Sequence, residues 1–260
     1  MRTIAIMNNK GGVGKTVTAI NLADTLVRRH DKNVVLVDCD GQMNMTRFFF
    51  RGFDPETQLT VADILRGEGE QIWSDNLLQI MPGLDLLGGS SGLYDLDLKA
   101  IRDGVSSPER LRDFCRCAEE DGETDFVILD CPPGYTTASV AALMAADEVV
   151  IPMTVDGFSF AGMEDMQKQI TSLRRARMGV KIAGVLITQW RNTEVVRQGE
   201  ALLRSMDIPV FKQVIRRTDK VPESTFEGVP VVQYSRGSAA SQDYRAWVWE
   251  LLKGGAAHGV

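Results

Sequence analysis

Short apolar, β-branched runs alternate along the chain with longer stretches in which apolar residues recur at helical spacing. Ile4-Ala5-Ile6-Met7, Val34–Val37 and Phe126–Leu129 are near-continuous hydrophobic runs, the pattern of parallel strands covered on both faces. Glu148–Met153, Ile182–Thr188 and Val210–Ile215 complete the predicted strands. Gly14–Arg29 predicts a helix with Val17, Ile20, Leu22 and Leu26 as apolar positions, and further helices are predicted near 137–146, 160–177, 193–206 and 239–253. Two more have start signals: Thr60-Val-Ala-Asp63 reads as a capping box, and Ser107-Pro108-Glu109 puts proline at a first helical position. No internal repeat, low-complexity stretch or Pro/Gly-rich linker interrupts the alternation. The expectation is a single α/β domain over 1–260, doubly wound, with a mostly parallel sheet and helices on both faces.

The last predicted helix sets Tyr244, Trp247, Val248, Leu251 and Leu252 on one stripe. A membrane-surface helix carries several cations on its polar face; only Arg245 and Lys253 are available here, so the stripe reads as core packing.

Composition changes this picture little. The 260 residues are 44% hydrophobic and 25% charged, as in ordinary globular proteins. No apolar run approaches the roughly 20 residues that span a bilayer, and no basic, then apolar leader precedes the first strand, so a cytoplasmic protein is expected. Four cysteines without a C-x2-C pair argue against a disulfide scaffold and a zinc finger. Cys39 and Cys131 read as small buried residues at strand ends, and Cys115 and Cys117, two apart in a predicted helix, point to different faces.

Charge adds more. The net charge of −6 argues alone against nucleic acid, but it is unevenly spread. Residues 1–150 hold 14 Lys and Arg against 24 Asp and Glu, −10; residues 151–260 hold 15 against 11, +4. Chance composition gives such a split, and so does a half that organises metal and phosphate joined to a half that meets a polyanion.

The chemistry concentrates in Asn8-Asn9-Lys10-Gly11-Gly12-Val13-Gly14-Lys15-Thr16, directly after a strand and opening a helix. Successive backbone N–H groups in such a loop wrap phosphate oxygens, which side chains at Gly11, Gly12 or Gly14 would obstruct. The helix adds its N-terminal partial positive charge, Lys15 can reach the β/γ-phosphates, and Thr16 offers a hydroxyl to Mg²⁺. Asp38 and Asp40 follow the second strand and Asp130 ends another, at the crevice where doubly wound sheets bind ligands.

The loop departs from G-x4-GK[ST] by one position, with Asn9 where the first glycine would stand and an extra lysine at position 10. K-G-G-V-G-K-T resembles the deviant Walker A of the ParA/MinD family of ATPases, and the resemblance runs over nearly the whole chain. Asp38 to Asn44 resembles the family's D-x-D-P-Q-x-N segment, with Gly41 replacing the usual proline; Phe126 to Gly134 resembles its Walker B, D-C-P-P, and the switch that senses the γ-phosphate. The resemblance implies ATP and Mg²⁺ as cofactors, phosphates bound by residues 10–16, and Mg²⁺ held by Thr16 and Asp130. It also implies that Lys10 reaches across a nucleotide-sandwich homodimer, that Lys15 acts on the phosphates, and that Asp40 places the attacking water. Asp38 would support the magnesium shell or the loop.

Val214 to Pro230 keeps the length of I-P-R-N-x-R-x-x-E-A-P-x-x-G-x-P, with Arg217 and Lys220 at its basic positions. Small ParA-type members bind duplex DNA without sequence preference through a basic C-terminal surface, for which Arg191, Arg197, Arg204, Arg217 and Lys220 are the candidates. Arg197 and Arg204, seven apart, share a helix face. The implied function is a slow ATPase, stimulated by a ParB-like partner and nucleoid-associated, that switches in plasmid, mobile-element or chromosome partitioning. The first strand begins at residue 2 or 3 with no helix-turn-helix before it, so operator-specific repression is not expected. A membrane-associated MinD-type positioning ATPase, a nucleotide-gated scaffold with hardly any hydrolysis, and an iron-protein-like electron carrier are the competing readings. Asp95, Asp97 and Asp103 read as a solvated helix face.

Overall fold

The computed structural model describes residues 1–68, 74, 77–104, 107–155, 168, 171 and 180–254. Its strands are β1 (Arg2–Ile6), β2 (Val34–Asp38), β3 (Leu78–Met81), β4 (Leu84–Leu87), β5 (Phe126–Asp130), β6 (Glu148–Thr154) and β7 (Lys181–Thr188). They form one sheet in the order β3-β4-β2-β5-β1-β6-β7, parallel except for the β3–β4 hairpin. The register sets Ile6 and Asp38 on either side of Asp130, so the strand-end acids are level at one edge.

The helices are α1 (Lys15–His30), α2 (Asn44–Phe49), α3 (Val61–Arg66), α4 (Gly92–Asp103), α5 (Glu109–Asp121), α6 (Thr137–Ala145), α7 (Glu194–Arg204), α8 (Lys220–Glu227), α9 (Val231–Tyr234) and α10 (Ala239–Leu252). Alternation within each strand divides the core. Ala5, Met7, Val35, Val37, Val127 and Leu129 belong to one apolar cluster with residues of α3, α5 and α6. Ile4, Ile6, Val34, Leu36 and Ile128 belong to the other, with residues of α1 and α10. Helices therefore cover both faces. None among the described residues is long and apolar enough to cross a membrane.

One start signal acts as the sequence indicates, and the other is offset by one residue, with proline at the cap rather than at the first helical position. Thr60 N donates to Asp63 Oδ2 at 2.9 Å, closing the capping box of α3, and Pro108 stands immediately before α5. The stripe of α10 is packed: Tyr244, Trp247, Val248 and Leu251 are buried, and Trp247 meets Phe211 edge-on at 5.8 Å.

One predicted strand is not formed. Residues 210–215 meet β7 without a continuous ladder: Val210 bridges Val185, Phe211 N donates to Val185 O at 3.0 Å and Ile215 N donates to Ile187 O at 2.8 Å. Between them the N–H groups of Lys212 and Gln213 donate to the Glu250 carboxylate at 2.8 and 3.0 Å, so α10 takes the donors a ladder would use. The helix predicted near 160–177 falls almost wholly outside the described residues.

Candidate nucleotide site

The loop of residues 8–14 leaves β1 and turns into α1, with Gly12 and Gly14 at φ +73° and +88°. Only glycine adopts that left-handed backbone without strain. A Cβ built on Gly11, Gly12 or Gly14 meets nothing within 4 Å. Backbone angle therefore demands glycine at 12 and 14, while the space before the loop is open.

Three polar side chains pin the loop from behind. Asn8 Nδ2 donates to Pro152 O at 2.7 Å, and Asn8 Oδ1 accepts from Lys10 N at 2.8 Å. Thr188 Oγ1 donates to Val13 O at 2.7 Å, and Gln189 Nε2 to Gly12 O at 2.6 Å. Sequence reasoning missed Thr188 and Gln189, because they come from the end of β7 and carry no motif. Lys15 is buried, and its Nζ donates back to Lys10 O at 3.1 Å. Burial lowers its pKa, opposed by the Asp130, Cys131 and Asp40 charges.

A cavity of about 680 Å³ opens in front, within the range of small-molecule sites. It brings together Gly11, Gly12, Gly14, Lys15, Thr16 and Asp40. Val13 is buried beneath the loop, Lys10 is exposed outside the wall, and Asp130 lies buried below. Ile20, Phe48, Val221 and Pro222 give the cavity an apolar side.

The three acids have different surroundings. Asp38 is fully buried and accepts from Thr46 N, Thr46 Oγ1 and Asp40 N at 2.8, 2.7 and 3.2 Å. It organises the loop that carries Asp40. Asp40, 8% exposed, accepts from Gln42 N at 2.9 Å and faces the cavity. Asp130 is 1% exposed, and neither carboxylate oxygen has a hydrogen-bond partner among the described residues. Burial, then the neighbouring Asp38, raises its carboxyl well above the usual range, opposed by Thr16 and Lys15.

Such an orphaned carboxylate near the Thr16 hydroxyl fits a hard divalent cation. No three His, Cys, Asp or Glu side chains converge as a cage among the described residues. Mg²⁺ suits that arrangement, since it keeps several waters and uses one or two carboxylates with substrate phosphates.

These environments predict a pH dependence without nucleotide. Burial pushes the Asp38 carboxyl up to about 6, against the hydrogen bonds from Thr46 and Asp40. An acid that holds its proton more tightly when folded contributes stability that is complete below its unfolded value, about 4, and lost as pH rises through about 6. The melting temperature should therefore fall between about pH 4 and 6, and Asp38→Asn should flatten that part of the slope.

The five candidate DNA contacts are not equivalent. Arg197 pairs with Glu194 at 2.7 Å, Arg204 with Glu200 at 2.8 Å and Lys220 with Glu223 at 2.7 Å. Arg204 also donates to Phe211 O and Lys212 O at 2.9 and 3.2 Å, strapping the 211–212 backbone to α7. Arg217 lines the cavity and Arg191 is exposed. A basic corner that sequence reasoning missed lies elsewhere. Arg28, Arg29 and Arg236 line a second cavity, and the charges of Arg29 and Arg236 reach Arg245. Of these four, only Arg28 has an ion-pair partner among the described residues, Asp24 at 2.9 Å.

Asp95 and Asp103 are exposed, the latter paired with Arg102 at 2.8 Å, but Asp97 departs from a merely solvated face. Its Oδ1 accepts from Thr137 N at 2.7 Å. Cys39 and Cys131 are buried as expected, and burial raises both thiols.

A family model described as an AAA domain matches residues 1–182. The chromosome partitioning protein ParA of Caulobacter vibrioides is 31% identical over 255 residues, covering 97% of this chain and 94% of that protein. The chromosome-partitioning ATPase Soj of Thermus thermophilus is 31% identical over 258 residues, covering 97% and 96%. The septum site-determining protein MinD of Pyrococcus horikoshii, solved with Mg-ADP, superposes with a TM-score of 0.75 at 25% identity, covering 97% of each chain. Loop, sheet and relatives agree: the chain belongs to the ParA/MinD family of deviant Walker A ATPases.

Proposed function

We propose that this ATPase is a nucleotide-gated switch in the partitioning of a plasmid, mobile element or chromosome, dimerising on ATP and then binding duplex DNA without sequence preference. The observation that carries the reading is the two-lysine glycine loop, open before its backbone, with Asp40 across the cavity and Asp130 unpartnered beneath. Relatives whose names state chromosome partitioning, matched over 97% of this chain, support the biological setting.

Residues 10–16 bind the phosphates through backbone N–H groups and the Lys15 ammonium. Thr16 and Asp130 hold Mg²⁺, which when bound neutralises phosphate charge that develops during transfer. Asp40 orients the attacking water by accepting its proton in a hydrogen bond. Lys10, exposed on the loop, meets the phosphates of a second copy, so dimerisation depends on the charge of the γ-phosphate. Phosphoryl transfer needs mainly positioning and charge stabilisation. A single water-orienting carboxylate on a glycine-containing loop makes turnover slow, and a ParB-like partner accelerates it by ordering that loop.

DNA contact requires cations left unpaired. Among the described residues Arg191, Arg217 and the corner of Arg29, Arg236 and Arg245 meet that condition, whereas Arg197 and Lys220 must first leave their glutamates. Nucleoid association follows from DNA binding in the ATP state. The test is binding to random-sequence duplex at two salt concentrations, with ATP–Mg²⁺ and with ADP–Mg²⁺. Salt-sensitive binding with ATP alone is the expected result. A protein that dimerises on ATP yet binds DNA in neither state would remove DNA from the reading.

A further inference from the structure

Gly41 stands where the family's segment usually has proline, one residue after Asp40, and its surroundings explain how this chain manages without it. A Cβ built on Gly41 falls 2.8, 2.9 and 3.1 Å from three ring atoms of Tyr94. The phenol ring therefore fills the space a proline ring would need. Gly41 is buried beneath it, although Tyr94 itself stays 43% exposed. A ring that exposed contributes little as core, and what it covers is the backbone beside Asp40.

The contact is polar as well as steric. Gln42 Nε2 donates to the Tyr94 hydroxyl, and Gln42 N donates to Asp40 Oδ1 at 2.9 Å. One residue thus joins Tyr94 to the carboxylate. Tyr94 lies in the first turn of α4, and Asp97, three positions on and so on the same side of the helix, accepts from Thr137 N at 2.7 Å. The same turn of helix therefore touches the Asp40 loop and the start of α6, which follows Asp130.

We propose that Tyr94 is a positioning residue for Asp40, its ring supplying from outside the loop the restraint that proline supplies from within it. The inference rests on the reading of Asp40 as the water-orienting group. Glycine has the widest backbone freedom of any residue. Without the ring, Gly41 lets the Asp40 carboxylate wander while the phosphate loop, on another strand, is untouched. Loss of Tyr94 should therefore lower kcat and spare KM.

Proline at 41 should have opposite effects in two backgrounds. With Tyr94 present it collides with the ring. With Tyr94 removed it finds the space empty, and it costs no hydrogen bond, since the Gly41 N–H makes none among the described residues. Gly41 is also absent from the positive-φ glycines, so its φ does not require glycine.

The experiment measures steady-state ATP turnover of the full chain with Mg²⁺, after the melting temperature of each variant has shown it folded. Tyr94→Ala should lower kcat about ten- to hundredfold, the scale of a small misplacement of a reacting group, with KM for ATP within about twofold. Tyr94→Phe keeps the ring and should stay within about threefold of the wild type. Gly41→Pro should lower kcat alone and restore most of it in the Tyr94→Ala background. Wild-type turnover in Tyr94→Ala, or a Gly41→Pro loss that simply adds to the Tyr94→Ala loss, would overturn the proposal. Asp40→Ala separates this failure from that of the underlying reading. Undiminished turnover in Asp40→Ala would remove Asp40 from its role; a large loss there, with no further loss on adding Tyr94→Ala, is the coupling expected of residues acting as one unit.

Discussion

Lys15→Ala should reduce ATP turnover about 10²- to 10³-fold, the range for removing one preorganised donor from a developing charge. The position explains the size of the effect. Lys15 is held in a buried slot with its Nζ on Lys10 O and the Asp130 and Asp40 charges nearby. Arginine cannot substitute by charge alone, because its rigid planar fork does not match a slot shaped around an ammonium; Lys15→Arg should fail almost as badly. Lys10→Ala should behave differently. Its side chain is exposed outside the cavity wall, so nucleotide affinity should survive while ATP-dependent dimerisation is lost. Turnover, nucleotide binding and sedimentation of the two variants divide these roles. Wild-type turnover in Lys15→Ala would contradict the phosphate-loop reading at its centre.

The loop was legible because its chemistry is contiguous: the glycines, both lysines and the threonine fall within the nine positions 8–16, directly after a strand. β1, β2 and β5 were legible for a related reason, since strands buried on both faces must be apolar throughout. Legibility fails where the deciding partner is distant in sequence. Residues 210–215 have strand composition, yet Glu250 captures two of their N–H groups. The β3–β4 hairpin went unrecognised, because each strand has only four residues, although Pro82-Gly83 between them is a turn signal and Gly83 does adopt φ +80°. In α4, Tyr94, Leu98 and Ile101 are exposed and Leu93 is buried, so apolar residues mark no single face. The consequence for the site is direct: the segment reads in sequence only as a solvated helix face, and nothing there brings Tyr94 to Gly41 or Asp97 to Thr137. The basic corner is similarly invisible, its arginines spread from position 28 to position 245.

Asp130→Asn should move turnover and stability in opposite directions. A buried carboxylate whose two oxygens lack partners is costly when charged, and here burial and Asp38 both oppose ionisation. Asparagine has nearly the same volume and no charge. At pH 8 and without nucleotide, the variant should be the more stable, melting several degrees higher, because its amide carries no charge to bury. Raising the pH should widen the difference, because the native carboxyl comes under greater pressure to ionise while the amide does not titrate. Mg²⁺-ATP should reverse the order. The wild type should gain stability by mass action, and the variant, deprived of the anionic ligand, should gain far less and turn over little ATP. Asp38→Asn provides the contrast, since Asp38 already has three donors and its removal disturbs the Asp40 loop. If Asp130→Asn proved no more stable than the wild type at pH 8 and equally stabilised by Mg²⁺-ATP, the unpartnered carboxylate would not be the cation's anchor. A stability gain lost on adding Mg²⁺-ATP is the signature of a side chain kept at a cost to the fold because the metal requires it.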